Sequence, residues 1–191
     1  PRLSGDTPRR AYIYLPESYD EEPDRRYPVM YMFDGHNVFF DEDATFGKSW
    51  GMNDYMERTG KQLIIVGVEC NHQGNCRLSE YSPVTFENAE LGKIRGRGST
   101  TMNWMVNELK PYIDGHFRTL PDRRNTILAG SSMGGLMALY GATAYNSVFQ
   151  RAACLSPSLW VAPGKVMELI AKARIRPDTT IYMDYGENEM A

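Results

Sequence analysis

The chain has 191 residues, of which 42% are hydrophobic and 24% charged, with a formal net charge of −3. That length and balance fit one soluble globular domain, 1–191, with room for a sizeable core. No basic stripe points to a nucleic-acid partner, and no apolar run approaches the ~20 residues of a membrane-spanning helix, so those function classes fall away.

Residues 1–9 read as a polar lead-in. Arg10–Leu15 alternates and is rich in β-formers, which predicts a strand, and 16–26 is an acidic, turn-rich connection. Pro28–Phe33 is a continuous apolar run, as expected of a strand buried on both faces, and Asp34-Gly35-His36-Asn37 ends it. A short helix is expected over 48–59 and a second buried strand over Gln62–Val68. Residues 70–98 read mostly as loop, long enough to suggest a functional role. Met102, Met105, Val106, Leu109 and Ile113 fall on one face of a helix over 101–113. Arg124–Ala129 predicts a strand and Leu136–Ala142 a helix, with strands also over 149–155 and 180–185 and an amphipathic helix over 165–174.

Strands alternating with helices predict an α/β fold: a mostly parallel sheet covered by helices on both faces, with ligands at the carboxyl ends of the strands. Gly130-x-Ser132-x-Gly134 lies between a predicted strand and helix, the context of a nucleophile elbow. The glycines let backbone pass close to backbone, and the serine hydroxyl sits exposed at a helix N-terminus, where a developing oxyanion is favoured. The alternative is a Gly-rich turn that only packs tightly. Serine needs a general base, normally a histidine. His116 falls at the wrong edge of the sheet; His36 and His72 fall at the right one, but before the serine rather than after an acid. Glu187 and Glu189 follow the last strand, and no histidine follows them. Two backbone N–H groups are expected to form the oxyanion hole, those of Met133 and His36, unless the Asp34-Gly35 turn is an ordinary one. Arg77, Glu80 and Tyr81 either bind substrate or form a local ion pair. Cys70, Cys76 and Cys154 have no metal-like spacing with histidine, and their odd number favours a reducing compartment over a disulfide framework, with a Cys70–Cys76 pair as the alternative.

These segments together resemble the putative esterase (esterase D-like) family of the α/β-hydrolase superfamily, which includes feruloyl, acetylxylan and enterochelin-type esterases. The matching stretches are Tyr14-Leu15-Pro16, Tyr27-Pro28-Val29 through Asn37, Arg77-x-x-Glu80-Tyr81-x-Pro83, Glu108–Ile113, Gly130–Gly135, Ser156-Pro157-Ser158-x-Trp160 and Gly186-x-x-Glu189. The resemblance implies Ser132 as nucleophile and Glu189 as the triad acid, with Glu187 as fallback. It also implies that Ser158 and Trp160 wall the acyl pocket, with Gly35 and Arg77 at the same cleft. Family members continue beyond the equivalent of Ala191 with a histidine loop, a last strand and a helix. The expectation is therefore a C-terminally incomplete α/β-hydrolase domain whose 191 residues alone have little triad-dependent activity, unless His36 or His72 serves as base.

The expected function is a serine carboxylesterase acting through an acyl-enzyme on small acyl or aryl esters, including carbohydrate- or siderophore-linked ones. An acyltransferase and a catalytically silent ligand-binding module are the alternatives. No organic cofactor or metal is expected. The Thr180–Tyr185 strand, if at an edge, offers a route to a homodimer. No signal-peptide pattern is visible, so the expected location is cytoplasmic, with secretion left open by a chain that begins at Pro1.

Overall fold

The two most continuous apolar runs lie side by side within the sheet. In the computed structural model, which describes residues 3–4 and 8–187, these are β2 (Val29–Phe33) and β3 (Ile64–Val68), paired in parallel from Val29 opposite Ile64 to Phe33 opposite Val68. β1 (Ala11–Tyr14) runs antiparallel along the outer edge of β3. On the other side of β2, β6 (Thr126–Ser131), β7 (Arg151–Leu155) and β8 (Thr180–Asp184) follow in parallel, giving the order β1-β3-β2-β6-β7-β8. The chain thus forms the α/β sheet that the alternation of strand and helix patterns predicts.

Successive residues of a strand face opposite ways, so each buried strand feeds two core layers. Tyr31, Phe33, Val66 and Leu128 face one layer, filled by α4 (Gly98–Trp104), α5 (Lys110–His116) and α6 (Met133–Ala144). Met32, Ile65 and Ala129 face the other, capped by Met56 of α2 (Met52–Thr59) with Val38 and Phe39. Helices therefore cover both faces. The expected helix over 101–113 is part of a longer one: α4 runs through a π-helical turn at Met105–Leu109 into α5. Met102, Met105, Leu109 and Ile113 are buried along it as their spacing predicts.

Two predicted loops carry more structure than their composition suggests. The acidic connection after β1 holds a single turn, α1 (Ser18–Glu21). The segment 70–98 contains α3 (Cys76–Glu80) and a hairpin of β4 (Phe86–Asn88) and β5 (Gly92–Ile94). Neither element has enough periodic residues to register as a sequence pattern, and both form because they rest on the core through Leu78, Tyr81, Phe86 and Ile94. An amphipathic helix, α7 (Pro163–Lys172), connects β7 to β8. All three cysteines are free thiols. Among the described residues, no helix is long and apolar enough to cross a membrane.

Candidate active site

Backbone strain marks one edge of the sheet. Among the described residues, four non-glycine residues have positive φ, and three of them directly follow or end the C-terminal tips of adjacent strands: Asp34 after β2 (59°), Ser132 after β6 (57°) and Ser156 after β7 (43°). Such conformations persist only where surrounding contacts over-determine them, and they concentrate at functional sites.

The contacts around Ser132 supply that constraint. A Cβ on Gly130 would come within 2.5 Å of the Gly134 backbone, and one on Gly135 within 2.8 Å of the Leu155 carbonyl. The glycines therefore let α6 start against β6 and β7 with no side chain between them. Ser132 N–H donates to the Leu155 carbonyl at 2.9 Å, and the N–H groups of Leu136 and Ser158 both donate to the Ser132 carbonyl at 3.0 Å. The backbone of Ser132 is thus held by β7, by α6 and by the segment after β7, while its side chain stays exposed. Met133 is the first residue of α6, so its N–H has no partner within the helix and points out of the positive helix end.

The turn after β2 lines the same cleft as Ser132 and is fixed by a second close approach. Gly35 packs on Gly67 of β3, where a Cβ would lie 2.4 Å from backbone. This places Gly35 beneath the cleft wall rather than on it, with Asp34 and His36 forming the wall. Gly35–Asn37 is a single 3-10 turn, whose early N–H groups lack partners inside the turn. The Asp34 carboxylate is buried and takes a bidentate pair from Arg77, Nε and NH2 each at 2.7 Å. Its Oδ2 also lies near α6, 3.2 Å from the position of a Cβ on Gly134, so one carboxylate braces the turn against the elbow helix. Asp34 N–H donates to the buried Tyr81 hydroxyl at 3.2 Å. Burial works against the Arg77 charge, yet the Asp34 carboxylate holds its pKa above the ordinary guanidinium value.

Arg77, Glu80 and Tyr81 take different places. Arg77 both pairs with Asp34 and lines the cleft. Tyr81 is buried, with its hydroxyl on Asp34 N–H. Glu80 is buried and accepts from Ser4 N–H (2.9 Å), Arg9 (2.6 Å) and Asn71 N–H (3.1 Å), which ties the N-terminal segment to the end of β3.

Two cavities meet at Ser132. One, of about 450 Å³, is lined by Asp34, His36, His72, Arg77 and Ser132, with Phe46 and Trp50 across from them. The other, of about 560 Å³, is lined by Ser132, Ser156, Ser158, Trp160 and Tyr185. Ser158 is buried and its Oγ lies 3.1 Å from the Ser132 Oγ. Trp160 is 45% exposed and stands edge-on to Phe86 of β4, with ring centres 5.9 Å apart, so the predicted loop reaches the second cavity as well as the first.

The three histidines separate as their places in the chain require. His116 stacks on Tyr112 at the end of α5, and Thr119 just after it bridges Tyr27 ahead of β2, at the sheet edge opposite Ser132. His36 is buried, with Nε2 3.0 Å from the Thr45 hydroxyl and Nδ1 buried and unpartnered. Burial, and then the His72 ring 4.3 Å away, push its pKa below the ordinary imidazole value. His72 is half-exposed, 3.4 Å from Glu69. Glu187 is exposed beyond β8, while Glu189 lies outside the described residues. Asp184, closer to the cleft, accepts from Ser156 N–H at 3.0 Å and from the Tyr182 hydroxyl at 3.0 Å. Composition and spacing give no sign of one grouping: His36, Cys70 and His72 each offer a donor atom within 4.8 Å of the others. Only the pairing of β2 with β3 brings His36 beside the other two.

Comparison with known proteins follows this geometry. The family described as "Putative esterase" matches residues 4–191. An uncharacterized protein, YbbA of Bacillus subtilis, is 23% identical over 184 residues, covering 95% of this chain and 69% of that protein. Esterase Rv1288 of Mycobacterium tuberculosis is 30% identical over 140 residues, 73% of this chain and 27% of that protein. Among solved structures, an IroE-like serine hydrolase from Shewanella oneidensis superposes with a TM-score of 0.71 at 23% identity. That superposition covers 92% of this chain and 55% of the other, and at this identity it shows a shared fold. The chain thus spans about half of that structure and about a quarter of the mycobacterial esterase. With a family match over nearly its whole length and the sheet order described above, this chain belongs to the Putative esterase family and has its α/β-hydrolase fold.

Proposed function

We propose that the protein is a serine ester hydrolase in which Ser132 Oγ attacks the ester carbonyl and forms an acyl-enzyme that water then hydrolyses. The observation that carries this reading is the strained, exposed Ser132 at the junction of two cavities, with the first N–H of α6 beside it. The N–H groups of Met133 and His36 stabilise the oxyanion. Ser158 and Trp160 wall the acyl side, and the cavity bearing Arg77 accepts the alcohol portion. Glu189 is the triad acid, with Glu187 as the alternative, and within this chain the general base is His36 or His72, the two histidines that line the cleft with Ser132. Substrates are small acyl or aryl esters, a reading supported by the aromatic walls that Trp160 and Trp50 contribute to the two cavities.

A ligand-binding module without turnover is the second reading. It is favoured by the hydrogen bond between the Ser132 and Ser158 hydroxyls, which pairs Ser132 with a hydroxyl rather than a base. Labelling with a fluorophosphonate probe, together with hydrolysis of p-nitrophenyl acetate by the full-length protein, separates the two. The hydrolase reading expects labelling confined to Ser132 and a loss of turnover on the order of 10⁴-fold or more in Ser132→Ala. Equal turnover in the variant, or no labelling of the wild type, selects the binding module.

A further inference from the structure

We propose that His36, Cys70 and His72 form a zinc site on the wall of the cleft, linking the turn after β2 to the loop after β3. One donor atom from each residue lies within 4.8 Å of the other two. Tetrahedral zinc with bonds of ~2.0–2.3 Å needs donor separations of roughly 3.3–3.8 Å. Closing the difference takes about an ångström of movement, which the half-exposed His72 side chain supplies by rotating.

Three features point to a metal rather than to a chance cluster. First, His36 is only 4% exposed, and its Nδ1 is buried with no hydrogen-bond partner, an arrangement that costs free energy unless something binds there. Second, both imidazoles have their other nitrogen engaged by an outer group. Thr45 Oγ1 lies 3.0 Å from His36 Nε2, and Glu69 Oε1 lies 3.4 Å from His72 Nε2. Outer partners of this kind orient ligating histidines, and at His36 they leave the unpartnered Nδ1 for the metal. Third, His36 and His72 line the cavity of about 450 Å³, so a three-ligand ion keeps a fourth position open to water or a ligand.

The donor set of two nitrogens and one sulfur is soft, which favours zinc over magnesium or calcium. On binding, the ion replaces the Cys70 thiol proton, which leaves to solvent, and no electrons move. Occupancy ties down His36, which lines the cleft with Ser132, and so couples the metal to the cleft. The inference rests on ligand placement alone and stands whether or not Ser132 is a nucleophile.

Zinc titration of the full-length protein against a chromophoric chelator tests it, with cobalt(II) absorption as a second readout. One zinc per chain is expected, together with a thiolate-to-cobalt charge-transfer band. Affinity should fall at least tenfold in His72→Ala, whose exposed position preserves the fold, and in Cys70→Ser, which should also abolish the band. His116→Ala should match wild type. Equal zinc affinity in wild type and His72→Ala, or a cobalt spectrum without a thiolate band, overturns the site.

Discussion

Two strand–helix pairs of the same sheet, β6 with α6 and α7 with β8, are held in place by different physics. α6 is apolar all round, and every residue except Tyr140 and Ala144 is buried. It sits on the sheet through backbone contact at Gly130, Gly134 and Gly135 and through Gly141 against Leu128 and Met102. α7 is amphipathic and buries only Val166 fully. β8 leaves Ile181, Tyr182 and Met183 exposed, between 36% and 57%. The first pair is positioned by shape, at tolerances of a few tenths of an ångström. The second is positioned by an apolar stripe that accepts many side chains. Ser132 belongs to the first pair, and the proposed hydrolase needs its hydroxyl fixed relative to the oxyanion donors.

The largest effect is expected at the turn around Ser132. Gly130→Ala forces a methyl group to within 2.5 Å of the Gly134 backbone, which has no flexible end to yield. The expected cost is about 3 kcal/mol or more, read as a drop in melting temperature of roughly 6–12 °C and a loss of Ser132 labelling. Unchanged stability would mean that the close approach does not position α6.

A smaller effect sharpens the role of the turn after β2. If His36 serves through its backbone N–H, His36→Ala keeps the donor, and kcat on p-nitrophenyl acetate should fall by less than about tenfold. Removing an oxyanion donor outright costs about 10²–10³. A fall on the order of 10³ or more in His36→Ala would instead make its imidazole the general base.

The smallest effect is expected on the other pair. Ile181→Ser and Tyr182→Ser each change stability by no more than about 0.5 kcal/mol in chemical denaturation. A larger loss, or a change in sedimentation coefficient, would show that another surface covers this flank and would support the homodimer reading.

Much of the fold was legible because its signals are local. The apolar runs of β2 and β3 and the spacing of Met102, Met105, Leu109 and Ile113 each declare a buried element without reference to the rest of the chain. The strand-to-helix turn was legible because the close approaches at Gly130 and Gly134 fall within five consecutive residues around Ser132. The hairpin and α3 were not legible, because strands of three residues and a helix of five are too short to show a period and the core they rest on lies elsewhere in sequence. Nor was the division of labour among Arg77, Glu80 and Tyr81, whose types and spacing suit ion pairing and substrate binding equally.

The sequence by itself determined that this chain folds as a mostly parallel α/β sheet with Ser132 at a strand-to-helix turn, since period, run length and glycine placement are properties of short segments. Only the tertiary structure decided which groups surround that serine. Asp34 meets Arg77 across 43 residues and Ser132 meets Ser158 across 26. His36 meets His72 because β2 and β3 lie side by side. Those meetings depend on strand order and register, which set distances between segments that no local pattern encodes.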